Sequence, residues 1–237
     1  ILVVVFGCII GARSTEIKVE AAERTVRFWD NSGNYLQKSG GNWYLKDSNK
    51  RKLTGLRYLS IPKTEFLKTG FYMFDKNGKL LRKQSVYYFD KKTVSGVRFD
   101  KYHITDSNGR ISKGERGFVN IAEQKVRGKK IIAGIYYVEA YGKLADRGTV
   151  RYIRQRRFGG RNFKGGYYYF YGTGRICMCP SFHKVNKTVQ GKKFNGIYYF
   201  GNDNGRMVQK AGWVTCEGQQ YYVDQNGKML VNRWKDG

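Results

Sequence analysis

The sequence predicts an all-β fold, a β-solenoid of stacked β-hairpin repeats, and three observations carry that expectation. Aromatic residues make up 16% of the 237 positions, with 19 Tyr and 14 Phe, and these side chains favour strands. There are 30 Gly against only 2 Pro, so reversals are frequent and ladder donors are rarely lost. One pattern also recurs along the chain: two or three aromatics, often Asp, a turn with Asn-Gly or Gly, a Lys or Arg beside an apolar residue, then Gly.

Taken in chain order, Ile1 to Ile10 is an unbroken apolar run followed by Gly11, Ala12, Arg13 and Ser14. Its length suits the apolar region of a secretory signal peptide and is too short to span a bilayer. Residues 1–14 are therefore expected to be part of a signal peptide, and residues 15–237 the repeat array. A buried first strand, and a lipid anchor on Cys8, are the other readings of this segment. The expected location is secreted or at the cell surface.

Copies of the repeat follow. Val26-Arg27-Phe28-Trp29-Asp30-Asn31-Ser32-Gly33 is the first, and weaker ones begin at Trp43, Tyr87, Tyr102, Tyr136 and Tyr167. The clearest are Phe71-Tyr72-Met73-Phe74-Asp75-Lys76-Asn77-Gly78-Lys79-Leu80 and Tyr221-Tyr222-Val223-Asp224-Gln225-Asn226-Gly227-Lys228-Met229-Leu230, with Tyr198 to Met207 close behind. Starts lie roughly 15 to 30 residues apart. Each copy reads as a hairpin in which Asn-Gly supplies the positive φ angles of a tight primed turn. Val126 to Ile132, in the least regular stretch, still reads as strand, Gly turn, strand. An isolated hairpin is marginal in water, so successive copies are expected to stack and bury aromatics between neighbours. Asn232 to Gly237 reads as the lead-in to a further copy, so the array is expected to be cut at its C-terminus.

Little points to catalysis. General acid–base chemistry wants paired carboxylates or a tuned His, and His103 and His183 sit in no recognisable motif. Ser181 stands two residues before His183, a spacing any loop can give. Asp75, Asp90 and Asp224 precede turns, where a carboxylate bonds turn amides. Cys177, Cys179 and Cys216 lack structural zinc spacing and read as small buried hydrophobes or one adventitious disulfide. Gly172-Thr173-Gly174 opens no helix. No enzyme activity, cofactor or metal is expected of this chain.

The run Gly212-Trp213, Tyr221-Tyr222-Val223-Asp224, Asn226-Gly227-Lys228-Met229, then Trp234 resembles the cell-wall-binding repeats of Gram-positive surface proteins. That superfamily includes choline-binding modules, glucan-binding modules of streptococcal glucosyltransferases and repeat domains of large clostridial toxins. The resemblance covers most of the chain after about Arg24 and is weakest from Val97 to Arg161. It implies a β-solenoid with ligand sites between successive hairpins, where aromatics cage a quaternary ammonium or stack on sugar rings. Carried over by position, the slot falls on Trp213, Tyr221, Met229 and Trp234. Trp43, Phe71 and Tyr167 keep the aromatic that precedes the Tyr pair. Leu56, Val97, Glu115 and Thr149, and Gln220, Ile197, Ile135 and Val86, stand where an aromatic is wanted.

Charge supplies a second candidate surface. With 45 Lys+Arg against 18 Asp+Glu, the formal net charge is +27. Between Asp146 and Asp203 there is no acidic residue, while Arg151, Arg154, Arg156, Arg157, Arg161 and Lys164 crowd together, and Lys184, Lys187, Lys192 and Lys193 follow. Such a face calls for a polyanion, because uncompensated cations repel one another in a compact state. Arg can hold carboxylate, sulfate or phosphate in a bidentate fork. The expected partners are a cell-wall polymer (teichoic acid, choline-bearing or glucan) or an anionic host glycan. Nucleic acid is the less favoured polyanion because of the N-terminal apolar run. The rival reading is a structural surface fibre or adhesin stalk that associates end to end through open sheet edges.

Overall fold

A computed structural model describes residues 25–27, 33–61, 67–111, 116–145 and 148–230. The N-terminal run with Cys8, the residues Phe28 and Trp29, and Trp234 lie outside the described residues. The described chain is almost all β, and the only helical pieces among the described residues are two short turns, Ala140–Gly142 and Asn202–Gly205. Among the described residues no helix is long and apolar enough to cross a membrane.

Antiparallel hairpins follow one another along the chain. The first pairs Tyr35–Ser39 with Asn42–Lys46, and Thr25–Arg27 adds a third strand. The second pairs Gly55–Leu59 with Gly70–Phe74, the third Val86–Val94 with Val97–Ile104. The fourth and fifth are each broken once into two ladders. The fourth joins Gly117–Ile121 to Gly134–Val138 and Gln124–Val126 to Lys129–Ile131; the fifth joins Thr149–Ile153 to Gly166–Phe170 and Arg156–Phe158 to Arg161–Phe163. The sixth pairs Ser181–Val189 with Lys192–Gly201, the seventh Gly212–Cys216 with Gln219–Val223. The expected hairpin at Val126 to Ile132 is the tip of the fourth.

Two kinds of reversal alternate, and Asn-Gly makes the one not expected of it. The hairpin tips are Gly40-Gly41, Ser95-Gly96, Arg127-Gly128, Gly159-Gly160, Gln190-Gly191 and Glu217-Gly218. In each, φ is +46° to +56° at the first residue and +74° to +80° at the second. These are the primed two-residue turns whose twist matches the strands. The Asn-Gly turns follow the hairpins. Gly78, Gly109 and Gly227 have positive φ, but Asn77, Asn108 and Asn226 do not. The amide of Gly78 donates to Asp75 O at 3.0 Å, and the Asp75 carboxylate accepts from Asn77 N at 2.8 Å and Lys79 N at 2.9 Å. Asp106 and Asp224 repeat this arrangement. A capping carboxylate needs both amides aimed at it, which an ordinary turn ending in one left-handed Gly provides. Asp90 departs from the expectation: it lies inside a strand, exposed, at the register shift between Phe89 and Lys92.

The turns that follow the second to seventh hairpins, carboxylate-capped or not, pair back onto the second strand of the hairpin one unit earlier. The bridges are Tyr44↔Lys79, Tyr72↔Arg110, His103↔Lys143, Tyr136↔Arg175, Tyr168↔Arg206 and Tyr198↔Lys228. The partners stand 30 to 40 residues apart, more than the spacing of the aromatic starts. The reason is that Tyr87 and Tyr102, read as two copies, are the two arms of one hairpin. The contact is close enough to demand glycine. A Cβ on Gly109 would lie 1.9 Å from Leu81 O, and one on Gly205 1.8 Å from Cys177 O.

The core is divided in the same serial way. One cluster joins Leu36, Trp43 and Leu45 to Tyr72, Phe74 and Leu80; the next joins Leu56 and Phe71 to Phe89, Phe99 and Ile111. Further along, Ile135 packs with Phe163, Tyr168 and Phe170, and Tyr167 with Phe194, Tyr198 and Phe200. Each large apolar side chain buried this way contributes about 1.5–3 kcal/mol. Buried hydroxyls are satisfied locally. Tyr72 donates to Lys68 O at 2.6 Å and Tyr168 to Lys164 O at 2.8 Å; Tyr136 donates likewise to Ile132 O.

Candidate functional site

The aromatics assigned from the sequence fall into two environments. Trp43 and Phe71 are fully enclosed in the core between hairpins. Tyr167 is buried against Phe194, with ring centroids 4.9 Å apart. Trp213 is 67% exposed, its ring set edge-on against Tyr222 at 5.3 Å. Trp213 pairs in register with Tyr222 and Val214 with Tyr221, and directly paired residues share a face. Tyr221 therefore stands on the opposite face from Trp213, packed on Phe182 at 4.9 Å. Met229 is half-buried, and its amide donates to Ile197 O.

Several ring faces already carry the chain's own cations. Arg127 lies over Tyr88 at 4.8 Å, Lys129 over Tyr102 at 5.4 Å, Arg151 over Tyr137 at 5.1 Å and Arg156 over Phe118 at 5.4 Å. Arg175 lies over Tyr171, and the Lys192 ammonium faces both Tyr167 and Phe194. The periodicity of the sequence does not reveal most of these pairs, because Arg127, Lys129, Arg151 and Arg156 each cover a ring that belongs to a different strand or hairpin, as does Lys192 at Tyr167.

The six cations assigned to a basic face divide by partner. Arg151 is ion-paired with Glu139. Lys164 pairs with Asp203 at 3.2 Å, and Arg161 donates to Asn204 at 3.3 Å, so both clasp the turn of the next hairpin. Arg154, Arg156 and Arg157 are exposed. Other cations act in the backbone stack. The stem of Arg206 passes where a Cβ on Gly166 would sit, 2.8 Å away, and that of Arg175 does the same at Gly134 at 3.2 Å.

A groove not foreseen from the sequence lies beside Arg151. Strands of the fifth and sixth hairpins form one sheet, in the order Thr149–Ile153, Gly166–Phe170, Arg206–Met207, Lys192–Gly201, Ser181–Val189. This sheet curls until its two edge strands approach, and Lys187 Nζ reaches across to Thr149 Oγ1 at 2.9 Å. Two adjoining hollows of about 440 and 320 Å³ lie along the gap, and both are lined by Arg151 and Lys187. The sequence signals for it are Arg151 and Lys187, two cations of the acid-free stretch.

A polar chain runs through the sixth hairpin's entry. Tyr171 Oη donates to Cys177 Sγ at 3.2 Å, Sγ lies 3.0 Å from Ser181 Oγ, and Oγ lies 3.0 Å from His183 Nε2. The spacing of Ser181 and His183 thus has a structural use. His183 stacks on Tyr169 at 3.6 Å, and burial lowers its pKa. The chain gives these buried groups partners.

No family model matches the chain, and no curated protein matches it. Among solved structures, it is similar to choline binding protein F from Streptococcus pneumoniae. The identity is 21%, over 90% of this chain and 81% of that one, with a TM-score of 0.26. CbpJ from the same organism matches at 19% identity over 91% of this chain and 96% of that one, with a TM-score of 0.23. An alternansucrase in complex with isomaltononaose matches at 16% over 84% of this chain but only 16% of that one, with a TM-score of 0.19. At such identities and TM-scores the ligand has to be read from this chain's own residues.

Proposed function

We propose that the chain is a non-catalytic β-solenoid module of a secreted bacterial surface protein, and that it binds an anionic cell-wall or host glycan polymer. The observation that carries this reading is the occupation of the ring faces: Arg127, Lys129, Arg151, Arg156, Arg175 and Lys192 already lie over aromatics. A free quaternary ammonium would compete with tethered cations and approach a chain of net charge +27. A polyanion meets the opposite situation: Arg154, Arg156 and Arg157 face solvent on one hairpin. Among the described residues, Trp213 with Tyr222 is the aromatic pair most open to stacking on a sugar ring.

The test is retention on purified cell walls with and without teichoic acid, competed separately with salt and with choline. Salt should release the protein in the manner of counterion exchange, and choline should not. Absence of retention even at low salt, or release by choline alone, would refute the proposal.

A further inference from the structure

We infer that the groove between the two edge strands of the curled sheet is a binding site for an acidic pyranoside, a uronate-bearing oligosaccharide. The inference deepens the polymer-binding proposal and rests on it. Its ground is what the groove brings together. Strand Thr149–Ile153 forms one wall and residues 186–190 the other. Both are edge strands of their sheet, so their outer backbone amides and carbonyls are not used in its ladder. Ring hydroxyls can take such groups, together with the side chains of Asn186, Thr188 and Gln190 on the same wall.

The charges fit one anionic group. Among the described residues, the charged ones lining the hollows are Glu139, Lys143, Arg151 and Lys187. Lys143 is matched by Asp100 at 2.7 Å, and Arg151 by Glu139. Lys187 donates to a neutral hydroxyl, Thr149 Oγ1, and Arg151 Nε is buried with no acceptor among the described residues. An exposed ammonium whose partner among the described residues is a neutral hydroxyl is a setting for a carboxylate. The groove also has an aromatic wall. Tyr152 is 37% exposed and lines the second hollow beside Tyr137. An aromatic face favours a sugar ring over an open polyol chain. Each hollow falls in the volume range of small-molecule clefts, roughly 300–1,000 Å³, and the pair in line suits consecutive sugar units.

The experiment is a calorimetric titration of the full chain with a hexuronate tetrasaccharide, and in parallel with a glycerol-phosphate oligomer, a neutral isomalto-tetrasaccharide and choline. The hexuronate should bind most tightly. Lys187→Ala should weaken it about tenfold, as for one lost charge-assisted hydrogen bond, and Tyr152→Ala should weaken it too. Both variants should keep the wild-type circular dichroism, since both residues are on the surface. Equal binding of the neutral sugar, or hexuronate binding indifferent to both substitutions, would overturn the assignment. Tighter binding of the polyol phosphate, insensitive to Tyr152→Ala, would overturn it in favour of a wall phosphopolymer. Wild-type retention on cell walls without hexuronate binding would remove this site alone and leave the polymer-binding proposal standing. Loss of both would remove the two together.

Discussion

Lys192 holds its ammonium 5.7 Å from the ring centroid of Tyr167 and donates to Asn226 Oδ1 at 3.1 Å, so one side chain ties the fifth, sixth and seventh hairpins together. Replacing it with Ala should lower unfolding stability by about 1 kcal/mol, the scale of one cation–π contact. Lys192→Met keeps the apolar stem and should separate charge from packing. Chemical denaturation of both variants measures the effect; equal stability of the wild type and both variants would show that the contact adds nothing.

The fit between units is tested at glycine. Gly205 has φ +87° and its absent Cβ would sit 1.8 Å from Cys177 O; Gly191, at a hairpin tip with φ +77°, has nothing within 4 Å. Gly205→Ala should therefore cost about 3 kcal/mol or more, since the carbonyl belongs to the adjoining unit and cannot give way cheaply. Gly191→Ala should cost only the left-handed penalty, about 1–2 kcal/mol. Similar losses at the two sites, read from denaturant midpoints, would contradict the close approach.

The capped turns give a third prediction. The Asp224 carboxylate accepts from Asn226 N at 2.7 Å and Lys228 N at 2.9 Å. Asp224→Ala should cost about 1–2 kcal/mol, and Asp224→Asn, which keeps one acceptor oxygen, should cost less. Exposed Asp90 lies in a strand and caps nothing among the described residues, so Asp90→Ala should be nearly neutral. A reversed ranking would remove the capping role.

The buried tyrosines set the response to alkali. Burial pushes the pKa values of Tyr72 and Tyr168 up from 10.0 to about 12. The folded state therefore holds its protons more tightly. The stabilisation is fully present below pH 10 and is lost as the pH rises from about 10 through about 12. Stability should fall over that interval, and the combined Tyr72→Phe, Tyr168→Phe variant should flatten the fall. Denaturation midpoints between pH 9 and 12 provide the measurement, and an unchanged slope in the double variant would count against the assignment.

Much of the architecture was readable from residue types. Tyr-rich and Phe-rich arms favour strands, and Gly without Pro marks reversals, so the hairpins and their nearest-neighbour cores followed from composition and repetition. Asp before a turn was likewise legible at Asp75 and Asp224, because a carboxylate reaching amides two and four residues on is a local event. The type of reversal was not. Asn-Gly suits a primed turn in isolation, yet here it follows the hairpin, because its glycine also has to meet the backbone of the preceding unit.

The candidate site was less legible for the same reason. A strand repeat tells which residues alternate, but not which ring a distant Arg or Lys will cover. By its place in the repeat Tyr167 is expected to be a ligand aromatic, and in space it is a partner of Lys192. Trp213 and Tyr221 are close in the repeat and on opposite faces of their hairpin. The groove lined by Arg151 and Lys187 exists because the sheet of the fifth and sixth hairpins curls edge toward edge. Local chemistry along the chain thus settles strands, turns and caps, whose partners are a few residues away. Which cations are spent and which edges stay open depends on contacts between units 30 to 40 residues apart, and these arise only when the hairpins pack.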